Sequence, residues 1–176
     1  DFGYHKITVE RPLQLNFHVS DDRIELLKEE KAFQNLDVAA GFSLRKRKKD
    51  KQLKEIEEGK EKQKKIIKAL KSIGNKLYKN LYKNKDKFES VLDNVLKEHK
   101  IDVDKSLKKA ILKALSEHDE TADIICDKNG KPEPAPDLRD YENVPLKEDI
   151  HEYFKGEVKP HLPDAWIDEK KTKVGY

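Results

Sequence analysis

The stretch Asp86-Lys87-Phe88-Glu89-Ser90-Val91-Leu92-Asp93-Asn94-Val95-Leu96-Lys97-Glu98-His99 decides the fold class. Its apolar residues, Phe88, Val91, Leu92, Val95 and Leu96, recur at steps of three and four and so line one face of a helix. A second helix, opening at Asp102, repeats the pattern through Leu107, Ala110, Ile111, Ala114 and Leu115. Upstream, Ser20-Asp21-Asp22 offers an N-cap oxygen and two carboxylates for the positive end of a helix dipole. Ile24, Leu27 and Lys31, widened by Leu26, Ala32 and Phe33, make that helix's stripe as far as about Asn35. Between these, Ser43 opens a long basic helix whose seam is Leu53, Ile56, Ile67, Leu70, Leu77 and Leu81. The seam is polar at Lys60 and Gln63 and lacks a side chain at Gly74. It falls short of the three or four clean heptads of a coiled coil, and a break is expected at Gly74-Asn75. Amphipathic helices joined by short links predict a helical bundle.

The flanks read differently. His5-Lys6-Ile7-Thr8-Val9 and Leu13-Gln14-Leu15-Asn16-Phe17-His18-Val19 alternate with period two, as strands do, and Arg11-Pro12 bends the chain between them. Two strands alone are marginal, and no further sheet is evident, so their neighbours are expected outside this chain. After Asp119 come a short strand, Ala122-Asp123-Ile124-Ile125-Cys126, and a turn at Asn129-Gly130. The prolines of Lys131-Pro132-Glu133-Pro134-Ala135-Pro136 force an extended path. A last helix is expected from Leu146 to Val158, with Ile150, Tyr153, Phe154 and Val158 inward. The fold class is therefore mainly α: a helical bundle with an N-terminal pair of short β-strands and a Pro-rich extended segment. It divides into residues 1–20 (strand pair), 21–118 (helical region with the basic helix) and 119–176 (acidic extended segment plus helix).

Of 176 residues, 41% are charged and 35% hydrophobic, against about 25% and 45–50% in ordinary domains, so the core is modest and the solvated surface large. No apolar run approaches the roughly 20 residues of a membrane span, and mean hydropathy is -0.96. No membrane partner is expected. The single cysteine, Cys126, excludes an intrachain disulfide and makes a cytoplasmic setting the default. The absence of Met suggests a piece of a longer polypeptide. Charge is segregated: residues 45–87 hold 18 Lys/Arg against 6 Asp/Glu, and residues 119–169 hold 6 against 15. The basic stretch has three readings: a contact to nucleic-acid phosphates, a solvated face, or attraction to the acidic region or a partner. Tyr78 and Tyr82 are its only aromatic residues, so a duplex backbone suits it better than a stacking platform for single strands. Lys46, Arg47, Lys48 and Lys49 are the candidate DNA-backbone contacts.

Chemistry-bearing motifs are sparse. No two of the six histidines take metalloprotease spacing, and Cys126 has no adjacent cation or His to make it a thiolate. Cys126 reads as a small apolar strand residue. Asp127-Lys128-Asn129-Gly130 lacks the register of a calcium loop and reads as a turn. There is no phosphate-binding Gly-rich loop. Glu117, Asp119, Glu120 and Asp123 read as a solvated acidic cluster rather than an acid/base pair. No catalytic, cofactor-binding or metal-ligating residue is assigned.

Five stretches are more particular. They are Phe2-Gly3-Tyr4-His5-Lys6-Ile7-Thr8-Val9-Glu10-Arg11-Pro12-Leu13; Ala114-Leu115-Ser116-Glu117-His118-Asp119-Glu120-Thr121-Ala122-Asp123-Ile124; Pro132-Glu133-Pro134 with Leu138-Arg139-Asp140-Tyr141-Glu142-Asn143-Val144-Pro145-Leu146; Pro160-His161-Leu162-Pro163-Asp164-Ala165-Trp166-Ile167-Asp168; and Lys173-Val174-Gly175-Tyr176. Together they resemble the C-terminal part of the modification subunit of type I restriction-modification systems. The resemblance covers both ends of the chain and is thin over residues 45–101. It implies a parent that methylates adenine N6 in DNA using S-adenosylmethionine. The family's Phe-x-Gly-x-Gly cofactor motif and its Asn/Asp-Pro-Pro-Phe/Tyr catalytic motif are absent, and Asn143-Val144-Pro145-Leu146 lacks the second proline and the aromatic. Both motifs lie upstream in the family, whose pattern also continues past Tyr176, so truncation at both ends is expected. The resemblance thus implies a non-catalytic fragment without its own cofactor. Its partners would be the specificity subunit, which carries target recognition, and, weakly, the DNA backbone; self-association through exposed strands is also expected. The alternative is a stand-alone basic helical module for DNA binding or protein interaction.

Overall fold

The structure, a computed structural model, describes residues 2–38, 46–76 and 81–176, with backbone alone at 46–49 and 75–76. In chain order the elements are β1 (Tyr4–Glu10), β2 (Leu15–Phe17), α1 (Asp21–Glu29), α2 (Lys31–Gln34) and a 3-10 turn (Asn35–Asp37). Then come α3 (Lys46–Lys76), α4 (Lys85–Glu98), α5 (Lys105–Ala114) and β3 (Ser116–His118). After a 3-10 turn (Pro136–Leu138), β4 (Asp140–Pro145) leads to α6 (Ile150–Tyr153) and a π-helical turn (Phe154–Val158). Last are β5 (Trp166–Ile167), a 3-10 turn (Glu169–Lys171) and β6 (Lys173–Gly175). The described residues are mainly helical, with two small sheets. They fall into two units, Leu15–Asp123 on one hand and Asp1–Gln14 with Ile124–Tyr176 on the other.

The Leu15–Asp123 unit buries Phe17, Leu27, Phe33, Ile66, Leu70, Ile73, Phe88, Leu92, Leu107, Ile111 and Leu115 in one cluster. Caps set its helix starts. Ser20 accepts from the Arg23 amide, Asn84 from Lys87 and Asp104 from Leu107, so the α5 cap is Asp104 rather than Asp102. The first helix stops at Glu29, short of Asn35, because Glu30 is extended (ψ 127°); the restart at Lys31 brings Phe33 into the core and leaves Leu26 exposed. At the end of α4, Lys100 takes a left-handed φ of 54°, which lets the Ile101 amide reach back to the Leu96 carbonyl at 2.9 Å.

α3 runs unbroken through Gly74 and Asn75 to Lys76. Its buried face is Ile66, Ala69, Leu70 and Ile73, with Ile67 partly covered and Leu53 exposed. Ser43 and Leu77 lie outside the described residues. The polar stretch of the expected seam is a contact of another kind. A Cβ on Gly59 would stand 1.7 Å from the Leu36 carbonyl oxygen, so only glycine lets the 3-10 turn lie on this helix. One turn on, the Gln63 amide donates to the Phe33 carbonyl at 2.9 Å. β2 pairs antiparallel with β3, and Phe17 exchanges both backbone hydrogen bonds with Tyr82. Its ring stacks on Phe88 with centroids 5.0 Å apart.

In the other unit β1 is the middle strand. It pairs antiparallel with β4 along Tyr4–Val9, and on its other side with β6 over Tyr4–Lys6 and β5 over Val9–Glu10. The strands expected to lack neighbours therefore find them within this chain, far downstream, and they pair with different partners rather than with each other. Ile7, Val9 and Val144 on one face of this sheet pack against Phe154, Val158 and Ala165. The last helix is shorter than expected. Leu146 precedes it, Asp149 caps it by accepting from the His151 and Glu152 amides, and from Phe154 it widens into the π-helical turn. Asp127 forms the turn before β4: its Oδ1 accepts from the Asn129 and Lys131 amides, and Gly130 supplies φ +76°. In place of the expected strand at 122–126, the described residues there form only single bridges, Gln14 to Ile124 and Cys126 to Pro132.

Candidate functional site

Strand alternation puts Ile7 and Val9 on the covered face of the sheet and Tyr4, Lys6, Thr8 and Glu10 on the other. Directly opposite residues share a face, so Tyr141 and Asn143 of β4, Trp166 of β5 and Lys173 of β6 join this second face. One end of it is closed by charge. Glu10 is 1% exposed, and its Oε1 accepts from Arg139 Nε at 2.7 Å and Lys171 Nζ at 3.0 Å. Its Oε2 is buried without a partner. The hydrogen bond to Glu10 holds the Arg139 guanidinium above its ordinary pKa. Lys171 is raised first by its bond to Asp168 and then by Glu10. The other end is open: Lys6, Asn143 and Lys173 are exposed, and Lys6 Nζ lies 4.8 Å from the centroid of the Tyr141 ring.

The basic region is helical. Lys46, Arg47, Lys48 and Lys49 form the first turn of α3, but their side chains lie outside the described residues. Four consecutive helix positions ring the axis at about 100° intervals, so only 46 and 49 share a face. A better aligned set lies further along. Lys60, Lys64, Lys68 and Lys71 recur at steps of four, four and three and make one exposed stripe. Lys60, Lys64 and Lys68 form no ion pair among the described residues, while Lys71 meets Asp21 at 3.1 Å. By contrast Lys51, Lys54 and Lys65 each pair with a glutamate one turn away. Lys64, Lys68, Lys71 and His99 line a shallow groove beside Ile67 and Ser72. The spacing of this stripe was legible in the sequence; the density of lysine around it hid the pattern.

The acidic cluster is structural. Glu117 meets Arg23 at 2.7 Å, and Asp123 accepts from Asn84 at 2.8 Å. Asp119 accepts from the Thr121 hydroxyl at 2.6 Å, the Thr121 amide at 2.8 Å and Asn16 at 3.1 Å. Those bonds, the Thr121 hydroxyl first, hold its carboxyl at about 2. Cys126 is exposed, in contrast to the apolar strand position expected for it. Among the described residues no group of three or more His, Cys, Asp or Glu is gathered as metal ligands would be, and no helix is long and apolar enough to cross a membrane.

Four of the five stretches singled out in the sequence come together. Residues 2–13 contain β1, 138–146 contain β4, 160–168 contain β5 and 173–176 contain β6. All four strands belong to one sheet. No family model, curated protein or solved structure matches this chain.

Proposed function

We propose that this chain is a non-catalytic C-terminal region of the modification subunit of a type I restriction-modification system, acting in the cytoplasm. Its parent methylates adenine N6 in DNA with S-adenosylmethionine bound elsewhere in the polypeptide. This region docks the specificity subunit and touches the DNA backbone weakly. The observation that carries the reading is the convergence of residues 2–13, 138–146, 160–168 and 173–176 on a single sheet. Residues that resemble one family at four separated places, and that also build one structural unit, are what a shared ancestral unit requires. In this reading Pro132-Glu133-Pro134-Ala135-Pro136 is the extended connector delivering the chain to β4. Backbone contact falls to the Lys60–Lys64–Lys68–Lys71 stripe together with Lys46, Arg47, Lys48 and Lys49. Apart from Arg47 these are point charges, with no Arg, Asn or Gln forks at the spacing of a recognition helix that reads base edges.

The test is a pull-down with a type I specificity subunit. Capture that persists after Lys64→Glu and Lys68→Glu supports the docking role. Absence of capture, or saturable S-adenosylmethionine binding by calorimetry, overturns it. The stripe also favours a second reading, a stand-alone DNA-binding module. That reading predicts duplex binding with a steep salt dependence, abolished by the same two reversals, and no capture.

A further inference from the structure

We propose that the open end of the sheet's second face, around Lys6, Lys173 and Tyr141, binds a single-stranded stretch of nucleic acid. This goes beyond the role proposed above and uses a different surface from the α3 stripe. Lys6 and Lys173 stand directly opposite one another across β1 and β6. Like charges at opposed positions destabilise a sheet, and neither ammonium has a carboxylate partner among the described residues. On the other side of Lys6 stands Asn143, so a row of donors, Lys173–Lys6–Asn143, crosses three strands at about 4.8 Å per strand.

Rings flank this row. Tyr141 is 53% exposed with the Lys6 ammonium over its face. Tyr4 lies against the β6 backbone because Gly175 has no Cβ, which would otherwise stand 2.5 Å from the ring. Cations beside accessible rings match the alternation of phosphate and base in a single strand, whose bases can be splayed and stacked. A duplex, its bases already stacked on each other, can use only the lysines. The local charge fits an anion although residues 119–169 are acidic overall. Asp140 and Glu142 of β4 stand opposite Val9 and Ile7 and so share the covered face, leaving Tyr141 and Asn143 on this one. Glu10 is already neutralised by Arg139 and Lys171.

The full chain is titrated with an oligo-dT of about 15 nucleotides, and with a duplex of equal length. Trp166, the single tryptophan, shares the face and reports binding by fluorescence. Quenching by oligo-dT at concentrations where the duplex has no effect is expected. Tyr141→Ala should weaken oligo-dT binding roughly tenfold, and Tyr141→Leu repeats the test with an apolar side chain retained. Lys6→Ala with Lys173→Ala should flatten the slope of log K against log salt by about 1.4. Thermal melts confirm that each variant folds. No oligo-dT binding, or binding indifferent to substitution at Tyr141, Lys6 and Lys173, overturns the proposal. So does sedimentation showing that the face variants do no more than dissolve a dimer, which would make the occupant a second copy.

Discussion

At the scale of single residues, two carboxylates do structural work. Glu10 is buried on the strength of two cations, and only one of its oxygens is used. Replacing it with the isosteric Gln removes the charge that Arg139 and Lys171 face. Glu10→Gln should cost about 1.5–3 kcal/mol, the range for hydrogen bonds to charged groups, read as a lower urea midpoint by Trp166 fluorescence. An unchanged midpoint would mean that the two cations are satisfied by solvent alone. Asp119 is acid-sensitive. Its folded pKa of about 2 lies below the ordinary 3.8, so the proton binds the unfolded chain more readily. Its contribution to stability is complete above about pH 4 and is lost as pH falls from there through 2. Carboxyl NMR should place its midpoint near 2, and Thr121→Val, which deletes the largest cause, should raise it toward 3.8.

Among the elements, α3 shows best what the sequence could and could not convey. Ser20 as a cap, the apolar face of α4, the Leu107–Leu115 face and the Asn129-Gly130 turn were all legible, because each depends on residues within one or two turns of chain. The polar gap at Lys60 and Gln63 was legible only as a gap. Its meaning depends on Leu36 and Phe33, more than 20 residues away, whose carbonyls lie on Gly59 and accept from Gln63. Strand partnership was hidden for the same reason: nothing local to residues 5–9 specifies 140–145 or 173–175 as their neighbours. The candidate site suffered most. A run such as Lys46–Lys49 is conspicuous as a charge cluster but rings its helix, whereas Lys6 and Lys173 become a pair only through sheet register. A prediction separates helix propensity from packing. In an exposed helix Gly→Ala gains about 1 kcal/mol. Gly59→Ala should instead destabilise, since the methyl would collide with backbone. A fall in melting temperature by calorimetry is expected, and a rise would show that the 3-10 turn moves aside without penalty.

For the whole molecule, connectivity matters more than composition. The Leu15–Asp123 unit is continuous, whereas the other is completed by residues from both ends of the chain. Its middle strand, β1, comes from the N-terminal part and holds β4, β5 and β6, which otherwise have no common neighbour. A chain beginning at Leu15 should therefore keep one unit and lose the other. The two units report separately: most helical signal arises from α1, α3, α4 and α5, and the tryptophan is Trp166 of β5. The truncated chain should retain a cooperative urea transition by far-ultraviolet circular dichroism. Its Trp166 emission should already match that of the unfolded chain in the absence of urea. Native emission from the truncated chain would show that residues 124–176 assemble without β1, and loss of the helical transition would show that the helices need it. The surplus of charge over apolar residues makes loss of the native Trp166 emission the expected result. The sheet's covered core rests on six buried side chains, two of which, Ile7 and Val9, leave with β1. The remaining four cannot offset the backbone entropy of about 1–2 kcal/mol per ordered residue.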